Sequence, residues 1–206
     1  MEYIFEAICK DFIMAISTLL QLKTAATSNA VSLTEAKAHL RVDSSDDDTY
    51  VTSLIVAAQR HVESYTNRCL SDTTYYFKLS AMPKGGIVLP FSPIKSITSV
   101  TYYDSDNSVQ TLSTDNYYYN VFEEPCTLRW VEDITDTYKY RTDAVIVEFV
   151  AGYTTPQVIP PALQHAIKLL LTDMYEMRTD MPREKFTAWK SLAYPYRVWH
   201  STTNNT

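Results

Sequence analysis

The stretch "AVIVEFVAGYTTPQVIPPALQHAIKLLL", residues 144–171, contains both kinds of secondary structure that organise this chain. Its first ten residues are a β-type run rich in β-branched and aromatic side chains. Pro160 and Pro161 then predict the start of a helix, because proline fits the first helical turn. The apolar residues that follow recur at helical spacing: Leu163, Ala166, Ile167, Leu170, Leu171, Met174 and Met177. The stretch therefore predicts a strand followed by a long helix over about 161–178.

Two further helices are predicted upstream of this stretch. Ser32 and Glu35 have the spacing of a capping box, so a short helix is expected over about 32–40. The turn "DSSDDD" follows, and its last aspartates stand where the N-terminus of a helix favours negative charge. A longer helix over about 47–66 has one apolar stripe: Val51, Leu54, Ile55, Ala58, Val62 and Tyr65.

Residues 73–153 have a different character. They contain short β-type runs, such as "TYYFKL", "SITSVTYYD" and "CTLRWV", which turn-forming residues separate. The connectors are too short for helical crossovers, so the strands are expected to be antiparallel. The predicted fold class is α+β. Long helices pack as a helical core within residues 31–178, an antiparallel β-rich insertion lies between them, and an arm extends at each end.

The N-terminal arm, residues 1–30, is predicted to be an amphipathic helix over 3–22 followed by a linker over 23–30. Its apolar stripe packs either on its own core or on a neighbouring subunit, and the sequence leaves both open. On the second interpretation the candidate subunit-interface residues are Phe5, Phe12 and Ile16. The arm lacks the positive n-region of a signal peptide, and charged residues interrupt it before it could span a membrane. Neither secretion nor membrane insertion is expected.

The C-terminal arm, residues 179–206, combines aromatic and basic side chains. Between Arg178 and His200 there are five basic residues and two acidic ones. Such an arm could fold on its own core, dock on a partner protein, or grip single-stranded nucleic acid by stacking. With so few positive charges, docking is favoured over nucleic acid. The candidate partner interface consists of Trp189, Tyr194, Tyr196, Arg197 and Trp199.

Composition argues against most catalytic classes. The net charge of −6 disfavours a general nucleic-acid binder. The only glycines are Gly85, Gly86 and Gly152, which cannot form a phosphate-binding loop or a dinucleotide fingerprint. Three scattered cysteines and four histidines show no metal-ligand spacing, and the acidic turns lack the glycine and glutamate of a calcium loop. No catalytic residue, metal site or cofactor is predicted.

Six segments occur in the same order as similar segments of tailed-phage head-tail connector proteins, also called adaptor or head-completion proteins: "VSLTEAKAHLRVD", "HVESYTNRCL", "LPFSPIKSITSVTYYDSD", "VEFVAGY", "IPPALQHAIKLLL" and "YPYRVW". The chain resembles that family from about Val31 to Trp199.

The resemblance implies a non-enzymatic virion protein that passes from the host cytoplasm to the neck. There, a ring of about twelve copies would lie beneath the portal protein, extend the DNA channel, and present a docking surface for tail, stopper or other neck proteins. The C-terminal segment would reach the portal. Genomic DNA would pass without sequence-specific binding, because an acidic wall makes few phosphate contacts. No membrane and no cofactor are implied.

Two rival functions remain at this point. The tyrosine-rich strands would also suit a monomeric carbohydrate- or nucleic-acid-binding module. A hydrolase whose site is assembled only in tertiary structure is a weaker possibility. The mass of the native protein distinguishes the first rival from the connector. A ring favours the connector, and a persistent monomer with ligand affinity favours the module.

Overall fold

Four α-helices and eight strands occur in the residues that the computed structural model describes, which are 20–132, 137–153, 158–177 and 188–199. The helices are α1 (Leu33–Leu40), α2 (Asp48–Thr66), α3 (Pro161–Glu176) and α4 (Ala188–Ala193). The strands are β1 (Leu20–Thr24), β2 (Thr73–Leu79), β3 (Ile87–Val88), β4 (Ile94–Tyr103), β5 (Val109–Thr111), β6 (Tyr117–Tyr118), β7 (Thr127–Trp130) and β8 (Val145–Ala151). This mixture of helices and antiparallel sheets confirms the α+β class.

The chain divides into two compact units. The β unit contains described residues 20–25, 73–89, 94–132 and 137–151. The helical unit contains described residues 26–72, 90–93, 152–153, 158–177 and 188–199. This division differs from the predicted one at both arms. Strand β1 of the N-terminal arm joins the β unit, and the described part of the C-terminal arm belongs to the helical unit.

The β unit is built around a five-stranded antiparallel sheet in the order β1-β2-β8-β4-β5. Burial alternates along β8, as expected when one face of a sheet packs on a core. On that face Phe149 lies opposite Tyr75 of β2, and their rings stack with centroids 5.7 Å apart. The short strands β3, β7 and β6 form a second sheet.

Residues Leu20–Thr24 form a strand, so the prediction of a helix through residue 22 and a linker from residue 23 is wrong here. Leu20 and Leu22 alternate with polar residues, a pattern that suits a strand as well as a helix. Pairing with β2 decides between the two. It also brings the Lys23 ammonium 2.6 Å from the carboxylate of Glu148. The earlier part of the predicted helix, with Phe5, Phe12 and Ile16, lies outside the described residues.

The helical unit follows the local signals of its sequence. The Ser32 hydroxyl accepts a hydrogen bond from the Glu35 amide at 3.3 Å, and the Ser32 amide donates to the Glu35 carboxylate at 3.0 Å, which completes the capping box. Helix α3 begins at Pro161, and its stripe is buried as far as Leu171. Met177 is an exception, because it lies just past the end of the helix and is half exposed.

A buried polar network ties α2 to the chain on either side of it. The Ala30 amide donates to the side-chain oxygen of Gln59 at 2.8 Å. The Glu63 carboxylate accepts from the Gln59 side chain at 3.0 Å, from the Leu70 amide at 2.9 Å and from Arg60 at 2.8 Å. Buried polar groups need such partners, so Gln59 and Glu63 hold the segments before α1 and after α2 in place.

The histidines of α1 and α3 give the helical unit a pH dependence. The rings of His39 and His165 meet edge to face with centroids 5.9 Å apart. Burial, followed by the nearby positive charges of His165 and Lys168, lowers the pKa of His39 below its usual 6.5. The unfolded chain then binds more protons than the folded one as the pH falls below about 6.5, so the free energy of unfolding decreases there.

We therefore expect thermal unfolding between pH 8 and pH 5 to show a loss of stability on the acid side that His39→Gln reduces. His61, exposed on α2, provides the control His61→Gln, which should keep the acid-side loss. An identical pH profile for His39→Gln and the parent protein would contradict this assignment.

Candidate partner interface

The end of the described chain is fixed to the C-terminal end of α2. The Val198 amide donates to the carbonyl of Thr66 at 2.9 Å. The Asn67 side chain donates to the carbonyl of Val198 at 2.9 Å, and Arg68 Nε donates to the carbonyl of Tyr196 at 2.6 Å. Residues 196–198 are thus held on the helical unit by three hydrogen bonds.

The local sequence explains which side chains point outward. Pro195 lies in a short 3₁₀ turn, Tyr194–Tyr196, and Arg197 then adopts an extended conformation. Successive side chains of an extended segment point to opposite sides. Val198 is accordingly only 4% exposed, whereas the side chain of Trp199 is 61% exposed.

The guanidinium of Arg197 lies against two aromatic rings. Its central carbon is 4.2 Å from the ring centroid of Trp199 and 5.3 Å from that of Tyr65. Among the described residues the guanidinium has no hydrogen-bond acceptor, and its Nε is buried without a partner. Within the described chain, stacking on these two rings is what positions the side chain of Arg197.

The five candidate interface residues therefore have different surroundings. Trp189 is 7% exposed and packs edge to face on Tyr65 with centroids 5.4 Å apart, so it belongs to the core of its own unit. Tyr196 is partly buried against the same core. Tyr194 and Trp199 are exposed, and Arg197, which is half-buried, stacks on Trp199. We call these last three residues the C-terminal surface.

The β unit exposes aromatic residues that the sequence did not single out. Phe122 and Tyr140 are almost fully exposed. Near Tyr140, Arg141 lies 3.7 Å from the ring centroid of Tyr103 and donates two hydrogen bonds to Asp143, at 2.9 and 3.1 Å. These bonds lower the pKa of the Asp143 carboxyl. Arg141 is thus a stacked arginine whose acceptor is already present.

The described residues include no cluster of three or more histidine, cysteine, aspartate or glutamate side chains that could hold a metal ion. Burial raises the pKa of the Cys126 thiol to about 11, so this thiol stays protonated at neutral pH and is a poor nucleophile. In the part of the chain that the structure covers, no helix combines the length and hydropathy that a membrane span requires.

Comparison with known proteins identifies similar chains. The family model described as "Phage gp6-like head-tail connector protein" matches residues 30–134. No curated protein sequence matches this one.

Three solved structures share the fold. A chain from the neck of an empty gene transfer agent particle, computed with C6 symmetry, is 20% identical with a TM-score of 0.77, and the match covers 91% of this chain and 99% of that one. A chain from the virion of a native gene transfer agent particle is 19% identical with a TM-score of 0.75, covering 90% and 98%. A chain from the neck of a native particle, computed with C12 symmetry, is 19% identical with a TM-score of 0.74, covering 91% and 99%.

Proposed function

Because this chain belongs to the phage gp6-like head-tail connector protein family, we propose that its copies form a ring of about twelve beneath the portal. The ring would extend the DNA channel and provide the surface on which tail or stopper proteins dock. Genomic DNA would pass through it without sequence-specific contacts, consistent with the net charge of −6.

Family membership itself makes the chain a structural, non-enzymatic protein of the virion neck, between head and tail. It confirms the resemblance seen in the sequence and the interpretation that the chain is not an enzyme. It also favours the connector over the monomeric binding module.

The ring proposal is supported by the symmetry of similar proteins. Two of the similar structures come from necks computed with C6 and C12 symmetry. A closed ring requires two different surfaces on each copy, since its contacts run head to tail. We propose that the N-terminal residues Phe5, Phe12 and Ile16 contribute to one of these contacts.

The C-terminal surface is proposed to dock on the portal or on another neck protein. The observation that carries this proposal is the fixed main chain of residues 196–198 beneath exposed Tyr194 and Trp199. Trp, Tyr and Arg are the residue types that dominate binding energy at interfaces. Because the main chain beside these side chains is already held in place, binding requires less ordering of the backbone, which favours affinity.

A double variant tests this surface. Tyr194→Ala combined with Trp199→Ala should leave the fold intact, since both side chains are largely exposed. Its binding to the cognate portal should weaken by about tenfold or more, because truncated anchor residues typically cost that much. Portal binding is measured by co-sedimentation after co-expression, and thermal unfolding reports on the fold.

Tyr140→Ala is the matched control, because Tyr140 is 88% exposed and lies in the β unit. It should bind the portal normally. Normal portal binding by the double variant would remove the C-terminal surface from the proposed function.

A further inference from the structure

We propose that Arg197 is a receptor for a carboxylate, supplied by an acidic side chain of the protein that docks on the C-terminal surface. This inference rests on the proposed docking function and specifies the chemistry of the partner.

The first argument is the unused hydrogen-bonding capacity of Arg197. A guanidinium carries five N–H donors, and within the described chain none of those of Arg197 has an acceptor. Its Nε is shielded from solvent, so it does not have the full hydration that an exposed arginine enjoys. The shielded Nε cannot be reached from outside, but the Arg197 side chain as a whole is only half-buried, and an incoming carboxylate would accept two parallel hydrogen bonds from its terminal Nη groups.

The second argument is that the guanidinium is already oriented. The rings of Tyr65 and Trp199 flank it, and hydrogen bonds with the Thr66 carbonyl and with the Asn67 and Arg68 side chains hold the main chain beside it. Little freedom remains to be lost when an acceptor arrives. The flanking aromatic surface also displaces water, which strengthens a charge-assisted hydrogen bond.

Arg141 is an example, in the same protein, of a stacked arginine that has a carboxylate as its hydrogen-bond acceptor. It too lies on a tyrosine ring, and it donates two hydrogen bonds to the Asp143 carboxylate and a longer one to the Asn107 side chain. Arg197 reproduces the stacked half of this arrangement and lacks the carboxylate. The missing component is therefore a carboxylate from outside the described chain.

A protein carboxylate fits better than the phosphate of a nucleic acid. Nucleic-acid binding normally uses several cations together. Of the neighbouring cations in the described chain, Arg68 already donates to the Tyr196 carbonyl and the Tyr153 hydroxyl, which leaves Arg197 and Lys190, the latter 5.6 Å from the ring centroid of Trp189. Two cations beside an exposed tryptophan are few for nucleic-acid binding and instead resemble an anchor for a partly apolar peptide segment.

The test follows the side-chain N–H signals of Arg197 and Trp199 by NMR in the full chain. The probes are a blocked leucyl-glutamate peptide, the same peptide with glutamine, and inorganic phosphate. We expect saturable shifts of both signals with the glutamate peptide, and binding of the glutamine peptide weaker by about tenfold or more, because the charge-assisted bonds are lost. Equal binding of the two peptides would overturn the proposal, and tighter binding of phosphate would replace the carboxylate with a phosphate ligand.

Two arginine variants complete the test. Arg197→Lys keeps the charge but lacks the planar fork, so it should weaken glutamate-peptide binding by about tenfold. Arg141→Lys should leave the Arg197 and Trp199 shifts unchanged, because Arg141 is already paired. Full peptide binding by Arg197→Lys would overturn the proposal.

Portal binding separates this inference from the docking function. If Arg197→Lys loses the peptide yet binds the portal normally, the carboxylate proposal fails while docking stands. If Tyr194→Ala with Trp199→Ala also binds the portal normally, the docking function itself fails.

Discussion

Gly152→Ala is expected to destabilise the helical unit by about 3 kcal/mol or more, because it combines backbone strain with a steric clash. Gly152 has a φ of +129°, which side-chain-bearing residues rarely adopt. A Cβ at this position would lie 2.5 Å from the carbonyl oxygen of Ser71 and 2.8 Å from the amide nitrogen of Asp72. Both neighbours are main-chain atoms, so no side chain can rotate away. Equilibrium unfolding in urea measures the loss.

Gly85→Ala is the matched control for this variant. Gly85 also has a positive φ, +73°, but a Cβ there would meet no atom within 4 Å. Only the conformational cost remains, about 1 kcal/mol. Equal losses for the two variants would show that the close approach of Ser71 to Gly152 is unimportant.

Glu63→Ala is expected to cost about 3 kcal/mol, because it removes the common acceptor of the buried network. The Leu70 amide and the Gln59 side chain, which bond to the Glu63 carboxylate at 2.9 and 3.0 Å, would both lose it. Donors left unpaired in a buried site have lost their hydration without gaining a hydrogen bond in return, which is unfavourable. Urea unfolding gives the change in free energy.

Glu63→Gln separates the loss of an acceptor from the loss of a charge. The glutamine oxygen can still accept from Leu70 and Gln59, and only the contact with Arg60, a half-exposed side chain, is weakened. We expect a cost of about 1 kcal/mol. If Glu63→Gln lowers the free energy of unfolding as much as Glu63→Ala does, the negative charge of Glu63 contributes more to stability than its role as a hydrogen-bond acceptor.

Local signals made much of the fold predictable. The capping box of Ser32 and Glu35, the prolines at 160 and 161, and the apolar spacing of α2 and α3 all act within a few residues of one another. Helices α1, α2 and α3 consequently begin and end within about two residues of the predicted positions. The turn-forming residues between the β-type runs indicated an antiparallel arrangement for the same reason.

Features that depend on distant partners were not predictable. Strand β1 has a pattern compatible with a helix, and only the edge of β2, some fifty residues away, selects the extended form. Gln59 and Glu63 stand four residues apart on α2, and this spacing is equally typical of two polar side chains that pair on the exposed face of a helix. Nothing local indicates that the chain before α1 and after α2 covers them.

The candidate interface illustrates the same distinction. The residue types of the C-terminal arm were recognisable, because clustered Trp, Tyr and Arg are typical of interfaces. Their directions were not, since Trp189 faces Tyr65 inside the unit while Trp199 faces solvent. Val198 is buried and anchors the segment in the core, but nothing in the sequence predicts its burial except that it is apolar.

The attachment of residues 196–198 to the end of α2 has a consequence for the kinetics of neck assembly. A loose arm can capture a partner at a distance and fold afterwards, whereas this segment presents its side chains only at contact range. Encounter then resembles the collision of two rigid faces, for which association rates of about 10⁵–10⁷ M⁻¹s⁻¹ are usual. If the C-terminal surface docks as proposed, few collisions would be productive, but a correctly oriented one would engage Tyr194, Arg197 and Trp199 together. A slow dissociation rate, more than a fast association rate, would then keep a connector in its place while the neck is completed.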